Sequence, residues 1–173
     1  MDLDLARELY FRELDGKAQQ DTRLGVYVAL LSVIGGTLAV LTKWAWPPDS
    51  TLCYVGLAFS VIAVVLYVLS VWVLLGEVGL DWEKLPTPDE LLAYRRELDT
   101  YYEANPDDLG SASSDFEDYL LRHLASAATH NSITNLTRSA AFYRAGVLLL
   151  AVVILAAISV AALGINQALL VLF

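Results

Sequence analysis

The stretch Thr129–Val160, THNSITNLTRSAAFYRAGVLLLAVVILAAISV, decides the fold. Its first half carries Asn131, Asn135, Arg138 and Arg144, and its second half carries no charge. No Pro falls between Asp115 and the end of the chain, and the first Gly is Gly146. One helix from about Asp115 to about Leu163 is therefore expected, polar at its start and apolar enough for lipid at its end. Two more charge-free stretches, Leu24 to Thr42 and Ser50 to Gly76, stand earlier in the chain. Each of the three is close to or beyond the ~20 residues that cross ~30 Å of hydrocarbon. The expected class is all-α: an integral membrane protein with three transmembrane helices and a helical cytoplasmic extension, assembled as a symmetric homo-oligomer.

Composition agrees. The 173 residues are 57% hydrophobic and yet carry a net charge of -9, so charge and apolar side chains must be segregated along the chain. The opening MDLDLARELYFREL is acidic and mixed, unlike a cleaved leader, and the first span is expected to be retained. The lone Cys53 excludes an intrachain disulfide and a cysteine-cluster metal site.

Basic residues near span ends favour the cytoplasm. Arg7, Arg12, Lys17 and Arg23 precede the first span, and Lys84, Arg95, Arg96, Arg122, Arg138 and Arg144 lie between the second and third, against Lys43 alone in the first hairpin. This places the N terminus and the Glu77–Arg144 region inside a plasma or inner membrane. The KWAWPP hairpin and the C terminus then lie outside, with Trp44 and Trp46 as interfacial anchors. On that topology the NLT at Asn135 never meets a glycosylating compartment and is a chance match. Four segments follow: an N-terminal cytoplasmic helix (1–23), a transmembrane hairpin (24–76), a cytoplasmic helix and loop (77–114), and a long helix continuing into the third span (115–173).

Local signals refine the cytoplasmic part. TPDE offers Thr87 as N-cap, Pro88 at the first helical position and Glu90 closing a capping box, for a helix that ends before Asn105-Pro106. SDFE suggests Ser114 as the next cap, with Glu117 three residues on. The N-terminal helix should run from Leu3 to Leu14, break near Gly16, and dock on the protein's own helices, being too acidic for anionic lipid. From Asp115 to the third span the long helix would extend ~45 Å, and it needs a partner face. Leu120, Leu124, Ala127, Asn131, Asn135, Arg138 and Phe142 supply one, within an arc of about 80°.

Small residues recur at three- and four-residue spacing in every span: Gly25, Ala29, Ser32, Gly36 and Ala39; Cys53, Gly56, Ser60, Ala63, Tyr67 and Ser70; Ala157, Ala161, Gly164 and Ala168. Such stripes let helices approach closely in lipid. They pack the spans of one subunit together, or one of them faces the axis of an oligomer. Ser60, Ala63, Tyr67 and Ser70 are the pore-lining candidates. No charge lies within a span to mark a pump or coupled transporter.

No phosphate-binding glycine loop, nucleophile elbow or paired-histidine metal motif occurs, so neither an enzyme nor a cofactor is expected. His123 and His130 stand ~10 Å apart along one helix, too far to chelate one ion unaided. Asn131, Asn135 and Arg138, with Arg122 and Lys17, either fix interhelical register or form a local basic pocket for a nucleotide or oligonucleotide. The field around them is otherwise acidic, with 13 acids against 6 bases between Glu77 and Arg144.

ARELYFRELDGKAQQDTRLGVYVALLSVIGGTLAVL, the hairpin at KWAWPP, and FEDYLLRHLASAATHNSITNLTRSAAFYRAGVLLL together resemble the SLATT group of bacterial membrane effectors. That resemblance implies a channel-like effector of antiphage defence. It would be controlled by a nucleotide or, in the Hailong-type class, a single-stranded DNA oligomer from an associated nucleotidyltransferase, and would depolarise the infected cell. Three spans enclose no aqueous pore by themselves, so several copies, four by preference, would surround it. The competing expectation is a passive membrane scaffold or subunit that recruits a cytoplasmic partner.

Overall fold

The computed structural model describes residues 2–44, 50–78 and 80–172. Among them are four helices and no strand: α1 (Leu3–Trp44), α2 (Thr51–Val78), α3 (Pro88–Ala104) and α4 (Ala112–Leu172). α1, α2 and α4 are each long and apolar enough to cross a membrane. They form two compact units. The first comprises the chain up to Gln20 together with Leu80–Leu136; the second comprises Asp21 to the end of α2 together with Thr137 to the end of α4. α1 and α4 each supply residues to both units.

In the first unit, Ala6 and Tyr10 of α1 are buried with Leu124, Ala127 and Ala128 of α4, flanked by Leu9, Leu14, Leu85 and Leu121. The spacing of these positions makes one apolar stripe on each helix. α3 starts where Thr87 and Glu90 direct it, with both halves of the capping box formed and Pro88 at its first turn. It ends at Asn105, which caps it through a bond to Tyr101 O. None of its residues is buried, and Tyr94 rests on Phe116 and Tyr119 of α4.

The second unit has a core of large apolar side chains at helical spacing. One cluster joins Leu38, Leu41, Cys53, Ala63, Val152 and Leu163, and another joins Leu31, Leu74, Phe142, Ala145 and Leu149. Val33, Val61, Val68, Trp72 and Ile154 face outward. A soluble protein hides such groups, whereas hydrocarbon accepts them.

Three local expectations are corrected. α1 runs unbroken through Gly16. The glycine serves a close approach: a Cβ there would lie 2.9 Å from Asn135 Nδ2, and that packing outweighs glycine's poor helix propensity. α4 begins earlier than expected because Ser111, not Ser114, caps it, its hydroxyl accepting from the Ser114 amide at 3.2 Å. α4 also reaches Leu172 rather than stopping near Leu163, since buried Leu163 and Asn166, bonded to Ser50 and Cys53, anchor the helix on either side of Gly164. Trp46 and the two prolines after it lie outside the described residues, as does the side chain of Trp44.

Candidate functional site

The polar part of the α4 seam holds the first unit together. Asn131 is fully buried. Its Oδ1 accepts from the Glu83 amide at 3.0 Å and its Nδ2 donates to the Glu83 carbonyl at 3.2 Å. Residues 80–87 are not helical, so their backbone groups need partners from elsewhere, and asparagine offers one donor and one acceptor in the required geometry. Ser126 donates to the Glu83 carboxylate, and His130 Nε2 lies 3.2 Å from the Asp81 carbonyl. Lys17 Nζ sits 5.2 Å above the Trp82 ring, a cation–π contact. The connecting segment is thereby strapped to α4 and α1.

Asn135 does the same for α1. Its Nδ2 donates to the carbonyl of Glu13 at 3.0 Å and to Glu13 Oε2 at 2.8 Å, while Gln20 Nε2 donates to the Asn135 carbonyl at 2.7 Å. In the second unit, Arg138 pairs with Asp21 at 3.2 Å. Close by in sequence, Tyr27 donates to the Phe142 carbonyl at 2.9 Å and stacks on its ring.

These contacts engage residues that the sequence offered for a ligand pocket. Arg122 and Asn131 are nine residues apart on α4, which puts them ~180° apart around the helix. Arg122 is exposed and bonds the Asp118 carbonyl of its own helix. Lys17 is engaged with Trp82, and Asn131 and Asn135 hold backbone of the same chain. The charged groups beside the two asparagines are the carboxylates of Glu83 and Glu13, a poor setting for phosphate. An adjacent groove of about 280 Å³ includes Arg12, Glu13, Thr129 and Ser132 in its lining, and Arg12 lies 3.8 Å from Glu13. Within the first unit, Asn131, Asn135 and Lys17 thus fasten parts of the same chain together while Arg122 stands on another face of α4; Arg138, in the second unit, is held by Asp21.

The pore-lining candidates Ser60, Ala63, Tyr67 and Ser70 are engaged within the chain. Ser60, Ala63 and Ser70 are fully buried inside a single chain. The Ser60 and Ser159 hydroxyls share a bond of 2.7 Å, Ser159 donates to the Gly56 carbonyl at 2.8 Å, and Ser70 donates to the Ala145 carbonyl at 3.3 Å. Tyr67 donates to the Leu31 carbonyl at 3.1 Å. Near the other end, Asn166 accepts from Ser50 and donates to Cys53 Sγ. A water path along this seam would require α2 to part from α4. Ser159 and Asn166 are the partners that sequence reasoning missed; their only signal is polarity inside an otherwise apolar run.

The other two small-residue stripes are uncovered. Gly25, Ala29, Ser32, Gly36 and Ala39 are exposed, as are Ala157, Ala161, Gly164 and Ala168. A Cβ at Gly25, Gly36 or Gly164 would meet nothing within 4 Å. Among the described residues no group of three or more His, Cys, Asp or Glu could hold a metal ion. His123 lies against Tyr119. Comparison with known proteins adds no relative to this picture: no family model, no curated protein and no solved structure matches the chain.

Proposed function

We propose that the protein is a ligand-controlled ion pore of the plasma or inner membrane, built from several copies, with the first unit cytoplasmic and the α1 stripe facing the common axis. The observation that carries this reading is the uncovered face Gly25, Ala29, Ser32, Gly36 and Ala39 on a helix whose other faces bear large apolar groups. Lipid supplies no hydrophobic drive for helix association, so small faces that permit close approach promote self-assembly. Ser32 and Thr37 return their hydroxyls to carbonyls of their own helix. A pore lined in this way would be weakly polar and could close by dewetting. The excess of Lys and Arg on the N-terminal and middle segments supports the orientation.

Control acts through the first unit, since α1 and α4 belong to both units. A nucleotide or a short DNA oligomer would gate the pore to the extent that it prefers one arrangement of these helices. The resemblance to SLATT effectors supports a role in antiphage defence beside a nucleotidyltransferase, with a tetramer as the preferred assembly.

Ion flux through liposomes containing the purified protein, with and without nucleotide or single-stranded DNA, tests the reading. Ligand-dependent flux that disappears with the oligomer in Gly36→Leu is the expected result. The second reading, a scaffold for a cytoplasmic partner, is favoured by α3, none of whose residues is fully buried and which exposes Leu92 and Tyr101. Absence of flux from folded, inserted protein under every condition would select it.

A further inference from the structure

At the corner of α3, the 105–111 connection and the start of α4, the first unit contains a cavity of about 440 Å³ that the pore reading does not use. Its walls are Tyr94, Leu98, Tyr101 and Tyr102 with Glu97, Asp108 and Asp115, and no Lys or Arg is among the residues that line it. The rings are held in place. Tyr101 and Tyr102 meet edge to face at 5.2 Å, Tyr94 lies 4.3 Å from Tyr119, and Tyr102 lies close against the backbone of Gly110. A Cβ at Gly110 would collide with the Tyr102 hydroxyl, so glycine keeps this wall open.

The hydroxyls point away from the role of acid or base. Tyr101 donates to Asp108 and Tyr102 to Asp115, each at 2.8 Å. Asp108 hydrogen-bonded to Tyr101 holds that phenol above its ordinary value, and Asp115 pushes Tyr102 up to about 12. Both phenols stay neutral. What remains for a visitor is three aromatic walls and three carboxylates.

Two alternatives are decided by geometry. An anion is excluded by charge. A bare metal ion needs carboxylates that converge, and among the described residues no such group exists. A cation with a hydrocarbon surface satisfies both halves of the lining, because rings attract its charge through their faces while excluding water from its methyl or methylene groups. The neighbouring ring of Phe116 already holds a cation in this manner, with the Arg95 guanidinium 5.6 Å from its centroid. We propose that this cavity is a binding site for an alkylammonium cation, such as a quaternary amine or a polyamine. The size suits a small organic ligand.

The test uses the full-length protein in a nonionic detergent, with tetramethylammonium and spermidine as probes, followed by ligand-observed NMR and calorimetry. Saturable binding of at least one probe is expected, and an equal concentration of potassium should not displace it. Tyr101→Leu and Glu97→Gln should each weaken binding about threefold or more. Both residues are exposed, so the variants keep the helical circular dichroism of the parent. Failure of both probes to saturate, displacement by potassium, or unchanged affinity in both folded variants would overturn the assignment. The outcome is independent of whether the protein conducts ions.

Discussion

Replacing Asn131 by alanine should release the strap formed by residues 80–87. The side chain is fully buried and satisfies both backbone groups of Glu83, at 3.0 and 3.2 Å. Each such bond contributes about 1 kcal/mol net, and a buried group left unpaired costs about 1–3 kcal/mol. Glu83 is only partly buried, so water recovers some of that loss. The lower end of the range applies to each of the two groups, about 2 kcal/mol together, equivalent to roughly 30-fold in a local opening equilibrium. Hydrogen exchange measured by mass spectrometry in detergent should therefore show residues 80–87 exchanging about 30-fold faster. Asn131→Asp should do at least as much, because it keeps the acceptor for the Glu83 amide but sets a carboxylate against the Glu83 carbonyl. Ser132→Ala, on the exposed side of α4, is the control and should change nothing. Exchange in Asn131→Ala within about twofold of the parent would refute the argument. It would return Asn131 to the role of a ligand contact, with loss of ligand response as the signature.

Other consequences follow from single contacts. Gly16→Ala should destabilise the first unit by about 1 kcal/mol, because its Cβ would press on Asn135 Nδ2 at 2.9 Å and displace a bond to Glu13; Gly25→Ala, with nothing within 4 Å, should leave a monomer's thermal transition unchanged or raised. Ser159→Ala removes the bonds to Ser60 and to the Gly56 carbonyl, for a loss of about 0.6–1.7 kcal/mol in denaturant titrations in micelles. Acid should fray the start of α3. The Thr87 amide and hydroxyl hold the Glu90 carboxyl below its ordinary value of 4.5, so the capping contribution is complete above 4.5 and vanishes as pH falls through the lower folded value. Exchange at the first turn of α3 should track that change, and Glu90→Gln should abolish the pH dependence. Equal acid fraying in Glu90→Gln would assign it to another carboxylate.

The sequence by itself determined the three long apolar helices, the capping box of α3 and the packing face of α4. Each depends on neighbours in the chain: unbroken apolar runs, Thr87 with Glu90, and Leu124, Ala127, Asn131 and Arg138 returning to one face every three or four residues. Gly16 was misread as a break because its reason lies with Asn135, on another helix. Spacing to Glu117 pointed to Ser114 as the cap of α4, and the backbone placed Ser111 there instead.

Only the tertiary structure decided what the polar residues do. Three stripes of small residues look alike in one dimension, yet one is buried between α2 and α4 and two are uncovered. Asn131, Asn135 and Arg138 carry the groups a phosphate or a base edge would require, and the fold joins them to Glu83, Glu13 and Asp21 instead. A side chain's chemistry is local and can be read in sequence. Whether its donors and acceptors remain available depends on which backbone and carboxylates fold against it, and those partners stand up to 122 positions away.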